Sequence, residues 1–444
     1  MDKKFTDTVT SLIGFIERSQ TAFQAVDEIS DILKNNGFTE LFESESCEIK
    51  PGGKYFVSRN SSSVIAFAVP EDFSPKFMIT ASHTDSPTFK LKPKCETEAC
   101  GKYIKLNVEG YGGMILSTSL DRPLSIAGRA VFKKDGAVCT KNIAVKRDLV
   151  LIPNVAVHQN RQINSGFTYN VATDLMPLFS SADNKGALDA IIAEEAGCAK
   201  EDLITSDMYL YNRTAGAIWG ADDEFFSSPR IDNLECAYST LIGFTQACAD
   251  NMKNGAVKVY CSFDNEETGS ETKQGAGSTF LLETLKNIST QLGFSANTAL
   301  ASSFMISADN GHAKHPNHPE MSDSQNAPAM NDGVVIKYNA SQLYTTDAVS
   351  AALFTEICKN ADVPTQVFAN RSDMRGGSTL GSISDTKVPL RTVDIGLAQL
   401  AMHSSYETAG CRDALYLVNA AREFYLTELT VRGNDAIEIK QTRV

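Results

Sequence analysis

The stretch VKVYCSFDNEETGSE (257–271) decides how this chain is read. A largely apolar run, Val257 to Phe263, breaks off at two adjacent carboxylates, Glu266 and Glu267. Such a run, bounded by turn residues, reads as a strand buried in a sheet. Two like charges side by side at its end cost free energy, and a bound cation is the usual way to offset that. Outward from this point the same grammar repeats. IDNLECAYSTLIGFTQACAD (231–250) reads as the helix before the strand, and GSTFLLETLKNIS (277–289) as the helix after it. SSFMISA (302–308), VVIKY (334–338) and PLRTVDIG (389–396) read as further strands. DAVSAALFTEICKN (347–360) and ALYLVNAAREFYLTEL (414–429) read as helices. Upstream, VIAFAV (64–69) and KFMITAS (76–82) are two more strands. This alternation predicts an α/β fold, a mixed sheet covered by helices on both faces.

The middle of the chain reads differently. Residues 96–153 alternate in the β sense, through KYIKLNVEG, GGMILSTS, GRAVFKKDGAVCTKNIAV and DLVLIP, with a hairpin turn expected at Asp135-Gly136. The reading is of a mainly-β domain, 96–224, inserted into a discontinuous domain made of 1–95 and 225–444. At the N-terminus, Phe5, Val9, Leu12, Ile13 and Ile16 share one face of an amphipathic helix, which is not a signal-peptide pattern. No apolar run reaches the ~20 residues that span a bilayer. The net charge of −13 argues against nucleic-acid or anionic-membrane partners. None of the ten cysteines forms a C-x-x-C pair, so reduced thiols and a cytoplasmic location are expected.

The residues that can carry chemistry stand where expected strands run into loops, the ligand-binding edge of open α/β sheets. They are His83 and Asp85 in ASHTDSP, Asp232 in SSPRIDNL, Glu266 and Glu267, Asp309 in SADNGH, and His403 in LAMHSSYE. Imidazoles and carboxylates suit a dinuclear zinc site with an open position for water. A carboxylate beyond the ligand set is then free to shuttle a proton. His312, His315 and His318 recur at three-residue steps, but Pro316 and Pro319 exclude a regular helix. The spacing therefore implies no shared ligand face.

With their flanks, these segments resemble the aspartyl aminopeptidase family of dinuclear-zinc exopeptidases. The likeness runs from about residue 20 to 430 and is densest in SHTDSP and FDNEETGS. The resemblance implies a zinc-exopeptidase-like fold and two Zn2+ per subunit, with Mn2+ or Co2+ able to take one position. It implies that His83, Asp232 and Asp309 hold one ion, that Asp232, Glu267 and His403 hold the other, and that Asp232 bridges. Glu266 becomes the general base for a metal-bridging water, and Asp85 orients His83. The inserted domain is expected to make dimer contacts and to bring His158, in IPNVAVHQNRQIN, toward a neighbour's substrate. Lys337 and Tyr344 fall at substrate-side positions. Dimers are expected to build a tetrahedral dodecamer.

The implied function is removal of N-terminal residues, preferentially Asp or Glu, from peptides. The alternatives are a neutral or broad-specificity aminopeptidase, an acyl-amino-acid hydrolase of the same fold, and a non-catalytic self-assembling shell. Two departures bear on specificity. Ala22 and Gln24 replace the Pro and His of related N-terminal segments, and Met374 and Arg375 precede Gly376-Gly377, adding a positive charge near the expected specificity pocket.

Overall fold

Alternate side chains of the expected strands go to opposite helical layers, as the two-residue period of a strand requires. In Ser63–Ala68, Val64, Ala66 and Ala68 enter one apolar layer while Ile65 and Phe67 enter the other. Asn254–Phe263 divides likewise, Tyr260 to one side and Val257, Val259 and Cys261 to the other. A strand buried on both faces has no polar side to show, which is why these segments read as runs rather than as alternations. The structure is a computed structural model and describes residues 1–374, 376–433 and 436–441.

The main sheet has nine strands, in the order Thr39–Leu41, Lys54–Arg59, Ser63–Ala68, Asn254–Phe263, Asp72–His83, Phe304–Ala308, Arg391–Gly396, Val334–Tyr338 and Thr365–Ala369. Asn254–Phe263, Asp72–His83 and Phe304–Ala308 are adjacent and parallel, so their carboxyl ends open on one edge. One face is covered by the helices Lys3–Arg18, Ala22–Asn35, Ile231–Asp250, Ala348–Asn360 and Asp413–Tyr425. The other is covered by Phe280–Leu292, Ala296–Ala301 and Leu380–Ser384. The mixed sheet with helices on both faces is thus the one expected. The first helix buries Val9, Leu12 and Ile16 as predicted, and Phe15 with them. The short edge strand Thr365–Ala369 is not among the expected ones; only Phe368 in it is buried, so its apolar signal is weak.

A second sheet, of six antiparallel strands, runs Ala137–Ala144, Leu124–Lys134, Leu203–Asn212, Thr88–Ala99, Tyr103–Tyr111 and Leu178–Ser181. It has its own core, in which Ile126, Leu106, Val108 and Leu210 pack under the helix Ala187–Ala196. Its hairpin turns at Asp135-Gly136, both with positive φ (49° and 82°), the backbone a two-residue type I′ turn needs. Its strand Thr88–Ala99 begins ahead of residue 96. A register shift between Leu91 and Glu96 interrupts the alternation there. A third sheet of five short strands includes Phe225–Ser228, Glu407–Gly410 and Ala398–Leu400. Among the described residues, no helix is long and apolar enough to cross a membrane. All ten cysteines are free.

Candidate active site

Two sheets meet to make the site. The main sheet delivers His83 at the end of Asp72–His83, Glu266 and Glu267 just beyond Asn254–Phe263, and Asp309 just beyond Phe304–Ala308. The other two residues come from the five-stranded sheet. Asp232 follows Phe225–Ser228 and sits in the first turn of Ile231–Asp250 with non-helical φ/ψ (−77°, 112°). His403 occupies the turn between Ala398–Leu400 and Glu407–Gly410, at φ 65°.

The side chains converge as two triads sharing Asp232. Nε2 of His83 lies 3.5 Å from Asp232 Oδ1 and 3.5 Å from Asp309 Oδ1. Nε2 of His403 lies 3.4 Å from Asp232 Oδ2 and 3.5 Å from Glu267 Oε2. Each oxygen of Asp232 thus faces a different imidazole. These separations are long for hydrogen bonds. Two ligand atoms held at 2.0–2.1 Å by a tetrahedral zinc, however, stand about 3.4 Å apart. Asp232 Oδ1 and Glu267 Oε1 are buried with no hydrogen-bond partner, a costly condition unless a cation takes the lone pairs. The donor set therefore fits divalent metal, and among the described residues the groups able to hold an ion are His83/Asp232/Asp309, Asp232/Glu267/His403 and His83/Glu266/Glu267.

Residues 15–425 match the family described as Aminopeptidase I zinc metalloprotease (M18). The chain belongs to this M18 family. It is 45% identical over 426 residues to a probable M18 family aminopeptidase 2 of Clostridium acetobutylicum, covering 93% of this chain and 97% of the relative. It is 36% identical over 451 residues to an aspartyl aminopeptidase of Caenorhabditis elegans, covering 95% and 96%. The mApe1 dodecamer of S. cerevisiae has the same fold, at a TM-score of 0.84 and 26% identity over 95% of this chain and 97% of that one. The protein is accordingly a hydrolase, a zinc-dependent aminopeptidase.

In this M18 aminopeptidase five carboxylates, Asp85, Asp232, Glu266, Glu267 and Asp309, surround two imidazoles. Burial pushes the Glu266 carboxyl up to about 8, with Asp309, Asp85 and Asp232 adding to the shift and His83 opposing it. Burial, with Asp232 beside it, also raises Glu267 well above the usual carboxylate range. Burial also works against the charged form of Asp232, but His403 and His83 hold it well below the usual carboxylate range. For His83, burial is outweighed by Asp232, Asp309 and Asp85, which raise it.

Asp85 lies behind this cage. The His83 Nδ1–H donates to the Asp85 main-chain carbonyl (3.1 Å) and faces Asp85 Oδ1 at 3.3 Å, leaving Nε2 to present its lone pair to the triad. Lys337 is buried, with Nζ donating to the Asn310 carbonyl (2.8 Å), 3.5 Å from Asp309 Oδ2 and 5.5 Å from the Tyr344 ring centre. It is not a solvated strand-end lysine. Tyr344 is buried against Phe368. Gly396 makes room here, since a Cβ on it would sit 1.9 Å from the Asp309 carbonyl oxygen. His158 stands exposed in a turn of its own subunit, in none of the groups able to hold an ion. Arg375 lies outside the described residues. Of the three spaced histidines, the His315 and His318 rings lie tilted against each other with centres 5.3 Å apart, and His318 pairs with Glu320. Among the described residues they form no ligand group.

Two residues that the sequence did not single out complete the surroundings. Glu407 accepts the backbone N–H of His403 (2.7 Å, Oε1) and of Asp232 (3.0 Å, Oε2), tying two cage residues 171 positions apart to one carboxylate. The Tyr111 hydroxyl donates to Asp85 Oδ2 at 2.7 Å. The first stands at the head of the short strand Glu407–Gly410, whose sequence ETAG has no apolar period to mark it. Nothing local marked the second.

Proposed function

We propose that this M18 chain is a two-metal aminopeptidase that removes N-terminal residues, Asp and Glu in preference, from peptides in the cytoplasm. The observation that carries it is the pair of triads sharing Asp232, each oxygen facing its own imidazole at 3.4–3.5 Å. One ion would be held by His83, Asp232 and Asp309, the other by Asp232, Glu267 and His403. Zinc suits both positions, and manganese or cobalt suits one of them. When bound, the pair supplies Lewis acidity toward the scissile carbonyl and lowers the pKa of water to near neutrality.

The chain's own residues do the rest. Glu266 is kept out of the ligand set and takes the proton of the attacking water, then hands it to the departing amine. With the ions bound, the positive charge beside its carboxyl would favour the carboxylate form that accepts a proton. Asp85 fixes the tautomer and direction of His83. Lys337, with Tyr344 beneath it, offers a buried cation to an acidic side chain; the name of the nematode relative, aspartyl aminopeptidase, supports that preference.

The division into a catalytic domain (1–95 and 225–444) and an inserted domain (96–224) for dimer contacts has support in outline from the separate core of the six-stranded sheet, though Phe89, Leu91 and Cys95 in that core favour a start nearer residue 88. His158, exposed on that unit, is suited to reach a neighbouring copy's substrate. The same reading has dimers assembling into a tetrahedral dodecamer, and the mApe1 dodecamer supports a twelve-subunit state. Free cysteines throughout support a reducing compartment.

The test is a hydrolysis panel of aspartyl, glutamyl, leucyl, alanyl and lysyl chromogenic amides, short peptides and N-acetylated amino acids, run after chelation and after return of zinc, manganese or cobalt. Activity lost to the chelator, restored by metal and strongest on Asp or Glu is the expected result. Preference for neutral residues would retain the cage roles and remove the role of Lys337. Turnover of N-acyl amino acids alone would move the reading to the acyl-amino-acid hydrolase, and no turnover at all to the shell.

A further inference from the structure

The segment that leaves strand Tyr103–Tyr111 of the six-stranded sheet runs directly across the loops that bear the cage. The Ile115 N–H donates to the His403 carbonyl at 3.0 Å. The Ser405 N–H donates to Thr118 Oγ1 at 2.9 Å. Gly112, at φ 71°, lies so close to Glu267 that a Cβ on it would stand 3.0 Å from the Glu267 Cβ. At the head of this segment Tyr111 enters a hydrogen-bond series that runs in one sense. Gln274 Nε2 donates to Asn265 Oδ1 (2.7 Å), Asn265 Nδ2 donates to the Tyr111 oxygen (2.8 Å), and the Tyr111 O–H donates to Asp85 Oδ2 (2.7 Å). Asp85 also accepts the backbone N–H groups of Glu266 and Glu267, each at 3.2 Å.

We infer that the Tyr111 hydroxyl is a positioning group for the metal cage, holding Asp85 in the pose that orients His83 and the 266–267 backbone. The inference rests on the two-metal reading of the cage. Asp85 has to serve His83 and two backbone donors at once, at distances of 3.2–3.3 Å. The shortest bond it makes to any of its partners is the one from Tyr111, so the hydroxyl sets where the carboxylate rests. Tyr111 itself is held by Asn265 and by edge contact with Tyr209, ring centres 5.5 Å apart. Through it, the six-stranded sheet and not only the main sheet determines how well the cage binds metal. Groups that orient a metal-ligating imidazole typically change affinity 10–100-fold when removed.

The experiment is zinc affinity by competition with a chromogenic chelator, on the full-length wild type, Y111F and N265G, with kcat and KM measured on the same preparations. Y111F keeps the ring and loses the donor. N265G keeps a left-handed backbone at a position with φ 63° and loses the donor to Tyr111. Y111F is expected to bind zinc about 10-fold more weakly or worse, with kcat reduced, KM within about two-fold, and the melting temperature of the metal-free form unchanged. N265G is expected to weaken zinc in the same direction and by less, and it decides the matter should Phe at 111 prevent folding. Zinc affinity within two-fold of wild type in the folded variants overturns the inference and leaves the two-metal reading intact. A wild type that takes up no zinc overturns both.

Discussion

In the nine-stranded sheet the central strands are buried on both faces, in the six-stranded sheet the strand Tyr103–Tyr111 is buried on one face only, and the two sheets contribute to the site in different ways. Every residue of Ser63–Ala68 is buried. In Tyr103–Tyr111 burial alternates, with Ile104, Leu106 and Val108 inside and the residues between them at least partly exposed. The doubly buried sheet supplies His83, Glu266, Glu267 and Asp309, groups that must stay fixed while carrying charge away from bulk water. The half-exposed sheet supplies Tyr111 and the strap behind it. On the proposed reading, rigid burial provides the reacting groups, and the second sheet adjusts their pose.

The sharpest test of this division removes the proton carrier. Glu266→Gln is expected to lower kcat by about 10²–10⁴-fold with zinc content and assembly unchanged, measured by steady-state kinetics, metal analysis and gel filtration. Retained turnover would take the base away from the main sheet. Next in size is a packing change. Ile79, fully buried between strand and helical layer, should cost about 2–5 kcal/mol on substitution by Ala, read by chemical denaturation.

A smaller effect is expected from pH. In metal-free protein the Glu266 carboxyl is raised from 4.5 to about 8 by burial. Its contribution is therefore complete below the unfolded value and is lost as pH rises toward 8. His83 and His403, both raised, act in the same sense above their ordinary value of 6.5. Asp232, lowered, changes stability only below 3.8 and so outside this window. The melting temperature of chelated protein should thus fall by a few degrees between pH 5 and 8, while that of zinc-loaded protein holds or rises because ligand deprotonation favours the metal. Parallel curves would mean the acidic cage does not hold metal. The smallest effect belongs to the alternating sheet. Lys105→Ala, at a partly exposed position between buried Ile104 and Leu106, should stay within about 0.5 kcal/mol. A cost near that of Ile79→Ala would show that this sheet is covered on its second face too.

Much of the fold was legible because doubly buried strands and amphipathic helices leave different periods in the residues themselves. Val64–Val69 and Val257–Phe263 could be placed on that ground, and so could the hairpin at Asp135-Gly136. His83, Glu266, Glu267 and Asp309 were legible for a related reason, since each ends or follows a run of that kind. Asp232 and His403 were candidates on the same ground, but the short strands of another sheet that carry them leave almost no pattern, so their place in a ligand set came from the family likeness. Glu407 and Tyr111 were not legible as site residues. Their partners lie 175 and 26 residues away, and nothing local distinguishes a bridging carboxylate or hydroxyl from an ordinary one.

The sequence by itself determined the layered α/β plan, the antiparallel interruption and the identity of the charged groups at the strand ends, because burial and backbone period are written locally. Only the tertiary structure decided that Asp232 turns one oxygen to each imidazole, that Lys337 is buried beside Asp309, and that a tyrosine from the second sheet holds Asp85. Those outcomes depend on which loops the packed sheets bring within about 3 Å of one another, the reach of a hydrogen bond, and no local pattern carries that distance.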